Sequence, residues 1–149
     1  MGSYVELPLG IALIPCDSLI EDRLTGKKSL IGIIGAIRCA QFPCVHPSLT
    51  ILVSLTSGHG DYPCTLELVS ESRNETVFAG HGDLKFSNPN QVLDLVFFLR
   101  RIRFEYPDVY WLKFMVDDMP IMTRPISVGT LELPQKVDGQ NPPPPPAQL

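Results

Sequence analysis

Basic residues are too few in this chain to make it a binder of polyanions: 12 Lys and Arg stand against 16 Asp and Glu, for a formal charge of -4 and a pI near 5.3. A surface of that sign offers no general attraction to nucleic acid or to an anionic bilayer. The basic strip of Arg100, Arg101 and Arg103 is too short to reverse it. Long apolar runs are missing as well. The stretches 7–15 and 29–37 fall well short of the roughly 20 residues a spanning helix needs, so no membrane span is expected and both read as strands. No Lys or Arg precedes the first apolar stretch and Glu6 stands just before it, so the opening segment does not read as a secretory signal and the cytoplasm is the expected compartment. Catalytic signatures are absent too. No Ser stands in a Gly-x-Ser-x-Gly elbow and no Cys-His pair has a nucleophilic setting, which argues against an enzyme and makes a hydrolase the least favoured class.

What remains is a chain of 149 residues, 44% hydrophobic, the size of one domain with enough apolar surface for a core of its own. Four cysteines, Cys16, Cys39, Cys44 and Cys64, make an even number. In a cytoplasmic domain with an adequate core they are expected to be reduced and mostly buried. The Asn74-Glu75-Thr76 triplet then has no meaning as a glycosylation acceptor.

Period-two alternation dominates the chain. Leu49, Ile51, Val53 and Leu55 alternate with Thr50, Leu52, Ser54 and Thr56, Leu66 and Leu68 alternate with Thr65 and Glu67, and Tyr110, Leu112, Phe114 and Val116 form a third stripe whose opposite face carries Trp111, Lys113 and Met115. The run from Val92 to Leu99 is more uniformly apolar, as in a strand covered on both sides, although Asp94 interrupts it and a helix competes there. Turn residues fall at strand spacing, and about eight strands are expected, at 8–15, 29–39, 49–57, 63–70, 75–86, 91–99, 109–117 and 120–132. Gly80-His81-Gly82 suggests a bulge in the fifth. Pro107-Asp108-Val109-Tyr110 is reminiscent of the tyrosine corner of immunoglobulin-like sandwiches. The expected fold is an all-β, antiparallel immunoglobulin-like sandwich over residues 1–133. After it, residues 134–149, with Pro142 to Pro146 in sequence, read as a disordered proline-rich tail.

Several groups invite a chemical reading. Thr25-Gly26-Lys27-Lys28-Ser29 lacks the glycine and hydroxyl spacing of a phosphate-binding loop and leads into a strand, so it reads as a turn with exposed lysines. Cys39, Cys44 and His46 are competent zinc ligands, but they lack the second close pair that structural zinc sites use. Gly58-His59-Gly60 and Gly80-His81-Gly82 look like paired histidines, yet tight turns explain the glycines unaided. If every strand reverses direction, Asp17, Asp22, His59, Asp61, Asp117 and Asp118 share one loop rim. Such a rim has the oxygen donors calcium prefers.

Cys16-Asp17, Gly26-Lys27 with Ser29, Gly32-Ile33, Ile37 and Phe42-Pro43-x-x-His46-Pro47 resemble the N-terminal signature of a family of small bacterial proteins known only as a domain of unknown function. The likeness is close over the first third of the chain. Beyond Leu55 it rests on strand pattern and the strand of Tyr110. It implies a compact β-sandwich of bacterial or phage origin, and no activity, cofactor or catalytic residue. The proline-rich tail and Cys39, Cys44 and Cys64 lie outside that signature. Physically, Gly26 permits a tight turn, Gly32 and Gly35 permit close backbone approach or a bulge, and the two prolines hold an extended loop. Asp17 beside them is placed to accept backbone amides. The function expected is a non-catalytic interaction module binding a protein partner or a second copy of itself through a strand edge or loop end, with Trp111 as an exposed aromatic and no cofactor. A ligand- or metal-binding sandwich using the rim of Asp17, Asp22 and His59 is the alternative.

Overall fold

The computed structural model describes residues 6–131, together with 146 and 147. Strands fill it, in the order β1 (Leu9–Glu21), β2 (Lys28–Ile33), β3 (Ala36–Cys39), β4 (Cys44–Thr56), β5 (Gly60–Ser70), β6 (Thr76–Phe86), β7 (Leu93–Phe104), β8 (Asp108–Val116) and β9 (Met119–Thr130). One sheet runs β2-β1-β4-β7 and the other β3-β9-β8-β5-β6. All neighbours are antiparallel except β3 and β9, which run parallel. With β1, β4 and β7 as strands A, B and E, and β9, β8, β5 and β6 as G, F, C and C′, this is the immunoglobulin-like order expected from the strand pattern. The sequence expected tail, 134–149, lies outside the described residues apart from 146 and 147. Among the described residues no helix is long and apolar enough to cross a membrane.

The alternating stripes form the core. Leu49, Ile51, Val53 and Leu55 of β4 face Leu66 and Leu68 of β5 and Leu112, Phe114 and Val116 of β8, all fully buried in one inter-sheet cluster. Each such side chain contributes about 1.5–3 kcal/mol on leaving water. Tyr110 opens β8 and donates its hydroxyl proton to the carbonyl of Tyr106 at 3.0 Å, with the Phe104 ring packed edge-on at 4.7 Å. The tyrosine corner is therefore present. Leu112, two residues on, occupies the place of the second cysteine of antibody domains, so hydrophobic packing alone joins the sheets there.

Three local expectations are corrected. The segment 29–39 is two strands in different sheets: the chain leaves the first sheet at Ile33 and enters the second at Ala36, which raises the number of strands. The Ile34 amide donates to Pro15 of β1 at 2.9 Å, and the Gly35 carbonyl accepts from Ser127 of β9 at 3.3 Å, so the crossing is bonded to both sheets. At Gly80 to Gly82, β6 pairs with β5 without a break, and the register shift in that pair falls at Leu68 and Val69. An edge strand tolerates glycine without bulging because only one of its sides must match a neighbour. Finally, β1 does not end near Pro15 but continues to Glu21, so Asp17 lies on a strand rather than in a loop.

That extension does not lie flat. β1 pairs with β4 only as far as Cys16 and Thr50, and beyond this point it pairs with β2 alone. Lys28, at the far end of the β1–β2 hairpin, nevertheless reaches Asp94 on β7, with Nζ and Oδ2 3.8 Å apart. β7 is the opposite edge of the same sheet, so the hairpin must turn back across the sheet's outer face. Burial agrees: Cys16, Thr50 and Ser54 are buried although their register places them on the face opposite the core stripe of β4. Leu19, Leu30 and Lys28 share one side of the hairpin and are partly buried. Asp94, the charge that interrupts an apolar run, also accepts a proton from the Ser54 hydroxyl at 2.7 Å. It is the anchor of the folded-back hairpin.

Replacing Asp94 removes a charge-assisted hydrogen bond and a half-exposed ion pair. We expect Asp94→Ala to lower stability by about 1–2 kcal/mol in urea unfolding, and Asp94→Asn by roughly half of that. Hydrogen exchange of the β2 amides should accelerate in Asp94→Ala more than exchange in β8; equal acceleration in both would refute the anchoring role.

Candidate functional site

Signature residues that are far apart in sequence meet where the chain crosses between sheets. Gly32 adopts a φ of +69°, and the space where a Cβ would stand is taken by the Asp17 carboxylate. Asp17 and Gly32 face each other across the β1–β2 pair, flanked by the Cys16–Ile33 and Ser18–Ile31 partners. This is why glycine is needed at 32: any other residue would strain the backbone and displace the carboxylate. No hydrogen bond from a backbone amide to Asp17 is found among the described residues. The amide-accepting role falls to Asp22, whose Oδ1 takes the amides of Leu24 and Thr25 at 2.9 Å each. Those bonds hold its carboxyl below the usual range. Gly26 closes that turn at a φ of +70°, with Lys27 exposed beside it.

Across the crossing, Phe42-Pro43 forms a turn with a cis peptide bond, and β4 begins at Cys44. Cys39 at the end of β3 and Cys44 are joined as a disulfide, with Cα atoms 6.4 Å apart. Four reduced thiols were expected; two are bonded, because the Gln41 to Pro43 turn returns the chain within disulfide reach. The zinc reading of Cys39, Cys44 and His46 loses its sulfur ligands with that bond. Cys16 and Cys64 are free and buried, as expected. Burial raises the Cys16 thiol, with the Asp17 charge adding to it, and pushes Cys64 up to about 11 with help from Asp83. Neither is suited to nucleophilic work at neutral pH.

Two adjoining hollows flank this crossing. One, of about 300 Å³, is lined by Asp17, Gly32, the crossing residues, Arg38 and His46. The other, of about 370 Å³, is lined by Ile37, Arg38, both disulfide cysteines, Pro43, His46 and Pro47. His46 lines both hollows, and its Nε2 is the only buried side-chain nitrogen or oxygen without a hydrogen-bond partner among the described residues. Arg38 also lines both, and its guanidinium makes no hydrogen bond or ion pair among the described residues. The sequence singled out Asp17, Gly32, Pro43, His46 and Pro47 but missed Arg38, which has no local motif and enters only because β3 is a separate edge strand.

The acidic rim does not form. The folded-back hairpin carries Asp22 over the outer face of its sheet, whereas His59 and Asp61 stand at the start of β5 and Asp117 and Asp118 in the β8–β9 turn. Asp17 stands apart from both groups, within β1. The histidines are separated as well. His59 precedes Gly60 at one end of β5, whereas His81 pairs with Thr65, roughly 20 Å along the strand. His59 instead lies 3.8 Å from Glu6, and its amide donates to the Tyr62 hydroxyl at 3.0 Å. Among the described residues no group of three or more His, Cys, Asp or Glu side chains is placed to hold a metal ion. Trp111 is half-buried, donating Nε1–H to Glu71 at 3.3 Å, and the exposed aromatic is Phe98 at 65%.

A family model described as a family of unknown function, DUF6941, matches residues 11–129. No curated protein matches the chain.

Two outcomes test the site. Gly32→Ala is expected to cost about 1–3 kcal/mol in denaturant unfolding, and Asp17→Ala in the same chain to recover part of it; strict additivity would show that the two residues do not compete for space. In the native protein without reductant, a thiol reagent near neutral pH should label neither Cys16 nor Cys64, with both reacting after unfolding; fast native labelling of either would contradict the burial that raises their pKa values.

Proposed function

From the premise that the chain belongs to DUF6941, a family of unknown function, we propose that it is a non-catalytic interaction module whose docking surface is the outward face of the β1–β2 hairpin. The carrying observation is the exposure of Ile20 at 55%, Ile31 at 47% and Ile33 at 61%. By register Ile20 and Ile31 share one side of the hairpin, diagonal to each other, and Ile33 is exposed further along β2, beyond Gly32. Their spacing puts each within reach of the next. Leu24 adds a fully exposed side chain at the tip.

A contiguous apolar stripe held out to water is unfavourable unless something covers it. Here the stripe is also held still, because the opposite side of the hairpin is seated on the sheet by Leu19, Leu30 and the Lys28–Asp94 pair. A surface ordered before contact loses less entropy on binding. The occupant is a protein with a complementary apolar surface. The same reading keeps the chain in a bacterial cytoplasm, where a bond such as Cys39–Cys44 is reversible rather than permanent.

Catalysis has little support. The free thiols are buried, and among the described residues the acidic side chains form no cluster of three or more placed to hold a metal ion.

Affinity capture with the tagged full chain from its native host, compared with Ile20→Ser/Ile31→Ser, tests the reading. A partner retained by the wild type and lost by the variant is expected, with the variant's unfolding midpoint changed little because both side chains are exposed. Equal recovery by both proteins, or a monomer that retains nothing, would overturn it.

A further inference from the structure

The outward face of the β1–β2 hairpin has a pattern that specifies what covers it. Asp22 donates its amide to the Lys27 carbonyl at 2.8 Å, which extends the β1–β2 register one row beyond Glu21 and Lys28. Leu19, Leu30 and Lys28 on the inward side are half-buried, whereas the outward residues, two apart along each strand, are all exposed. They form three rows: Ser18 beside Ile31, Ile20 beside Ser29, and Asp22 beside Lys27. Two rows set a large apolar side chain beside a small one, with the isoleucine on opposite strands in the two. The third sets an acid beside a base.

Exchanging the two strands turns this face into its own complement. Resting on the reading that the face docks a protein, we propose that the protein is a second copy of this chain, stacked hairpin on hairpin about a twofold axis parallel to the strands. Strand faces ordinarily meet in this aligned way, with the two layers about 10 Å apart. The axis lays β1 of one copy over β2 of the other. Ile20 then lies over the partner's Ser29, Ile31 over the partner's Ser18, and Asp22 over the partner's Lys27. Neither isoleucine meets its own kind head-on, and no like charges in these rows meet. In an isologous contact one patch supplies both halves, so it must complement itself; a surface for an unrelated protein carries no such requirement. The parallel axis also brings the two tips side by side, where Leu24 is 97% exposed. Six residues and a tip from each copy are fewer than the roughly 20–30 a side of a standard interface, so the dimer is a weak one.

Sedimentation equilibrium of the full chain tests the arrangement, with a dimer Kd expected between about 10 µM and 1 mM. Lys27→Asp sets acid over acid and Asp22→Lys base over base, twice each because of the twofold, and each is expected to weaken the dimer by at least about fivefold. An equimolar mixture of the two variants restores acid over base in both places, and is expected to associate at least about fivefold more tightly than either alone. Methyl spectra check that each variant is folded. Asp22 also accepts the amides of Leu24 and Thr25. Where its replacement disrupts the turn, Ser29→Arg decides instead, by driving a long side chain against the partner's Ile20, and is expected to abolish the dimer. A wild type that stays monomeric at about 1 mM, a mixture no tighter than its components, or a dimer unchanged in folded Ser29→Arg would each overturn the twofold. The docking face would survive those results if the wild type captured a different protein that Ile20→Ser/Ile31→Ser loses. With neither dimer nor capture, both readings fail.

Discussion

At Ile34 and Gly35 the backbone passes from one sheet to the other and hydrogen-bonds to both, through Pro15 on one side and Ser127 on the other. Most of what is particular to this sandwich depends on that crossing. It releases β2 to pair with β1 alone and delivers β3 to the free edge of β9, parallel to it. Buried backbone groups need partners, and a chain that changes sheets has few ways of supplying them. Here Ile34 buries its side chain in the core while its amide reaches β1, so the crossing is part of the core rather than a loop over it.

Two surfaces follow from this geometry. On the outside, the β1–β2 hairpin, no longer held in line by β4, turns back over its own sheet and is seated there by Asp94, Ser54 and Lys28. Its inner residues shield Thr50, Ser54 and Cys16, and its outer residues leave an apolar stripe uncovered. At the crossing, Asp17 lies against Gly32, and Arg38 and His46 line the adjoining hollows. The disulfide between Cys39 and Cys44 lines one of those hollows, joining the end of β3 to the start of β4.

Much of the fold was legible in the sequence because burial in a two-sheet sandwich is written as alternation. The stripes at Leu49 to Leu55 and Tyr110 to Val116 are fully buried where the pattern placed them, and Tyr110 makes the bond that its sequence setting suggested. The site was legible only as a set of names. Asp17, Gly32, His46 and Pro47 stood out, but Arg38 did not, and the acidic rim rested on strand alternation alone, which does not record how a hairpin bends. A glycine read as permitting close approach was read correctly at Gly32, whereas at Gly80 and Gly82 the same residue type sits in an unbroken edge strand. Local residue type states what a backbone is able to do; it does not state which neighbour arrives.

The sequence by itself determined the all-β class, the core stripes, the tyrosine corner and the family, because these rest on side-chain period, turn chemistry and short motifs that act within a few residues. Tertiary structure alone decided that 29–39 divides between sheets, that Asp94 meets Lys28, that Cys39 bonds Cys44, and that Arg38 and Asp17 line one hollow. Each of these joins residues whose proximity depends on how many times the chain reverses and where a strand bends, and hydrophobic period carries neither quantity.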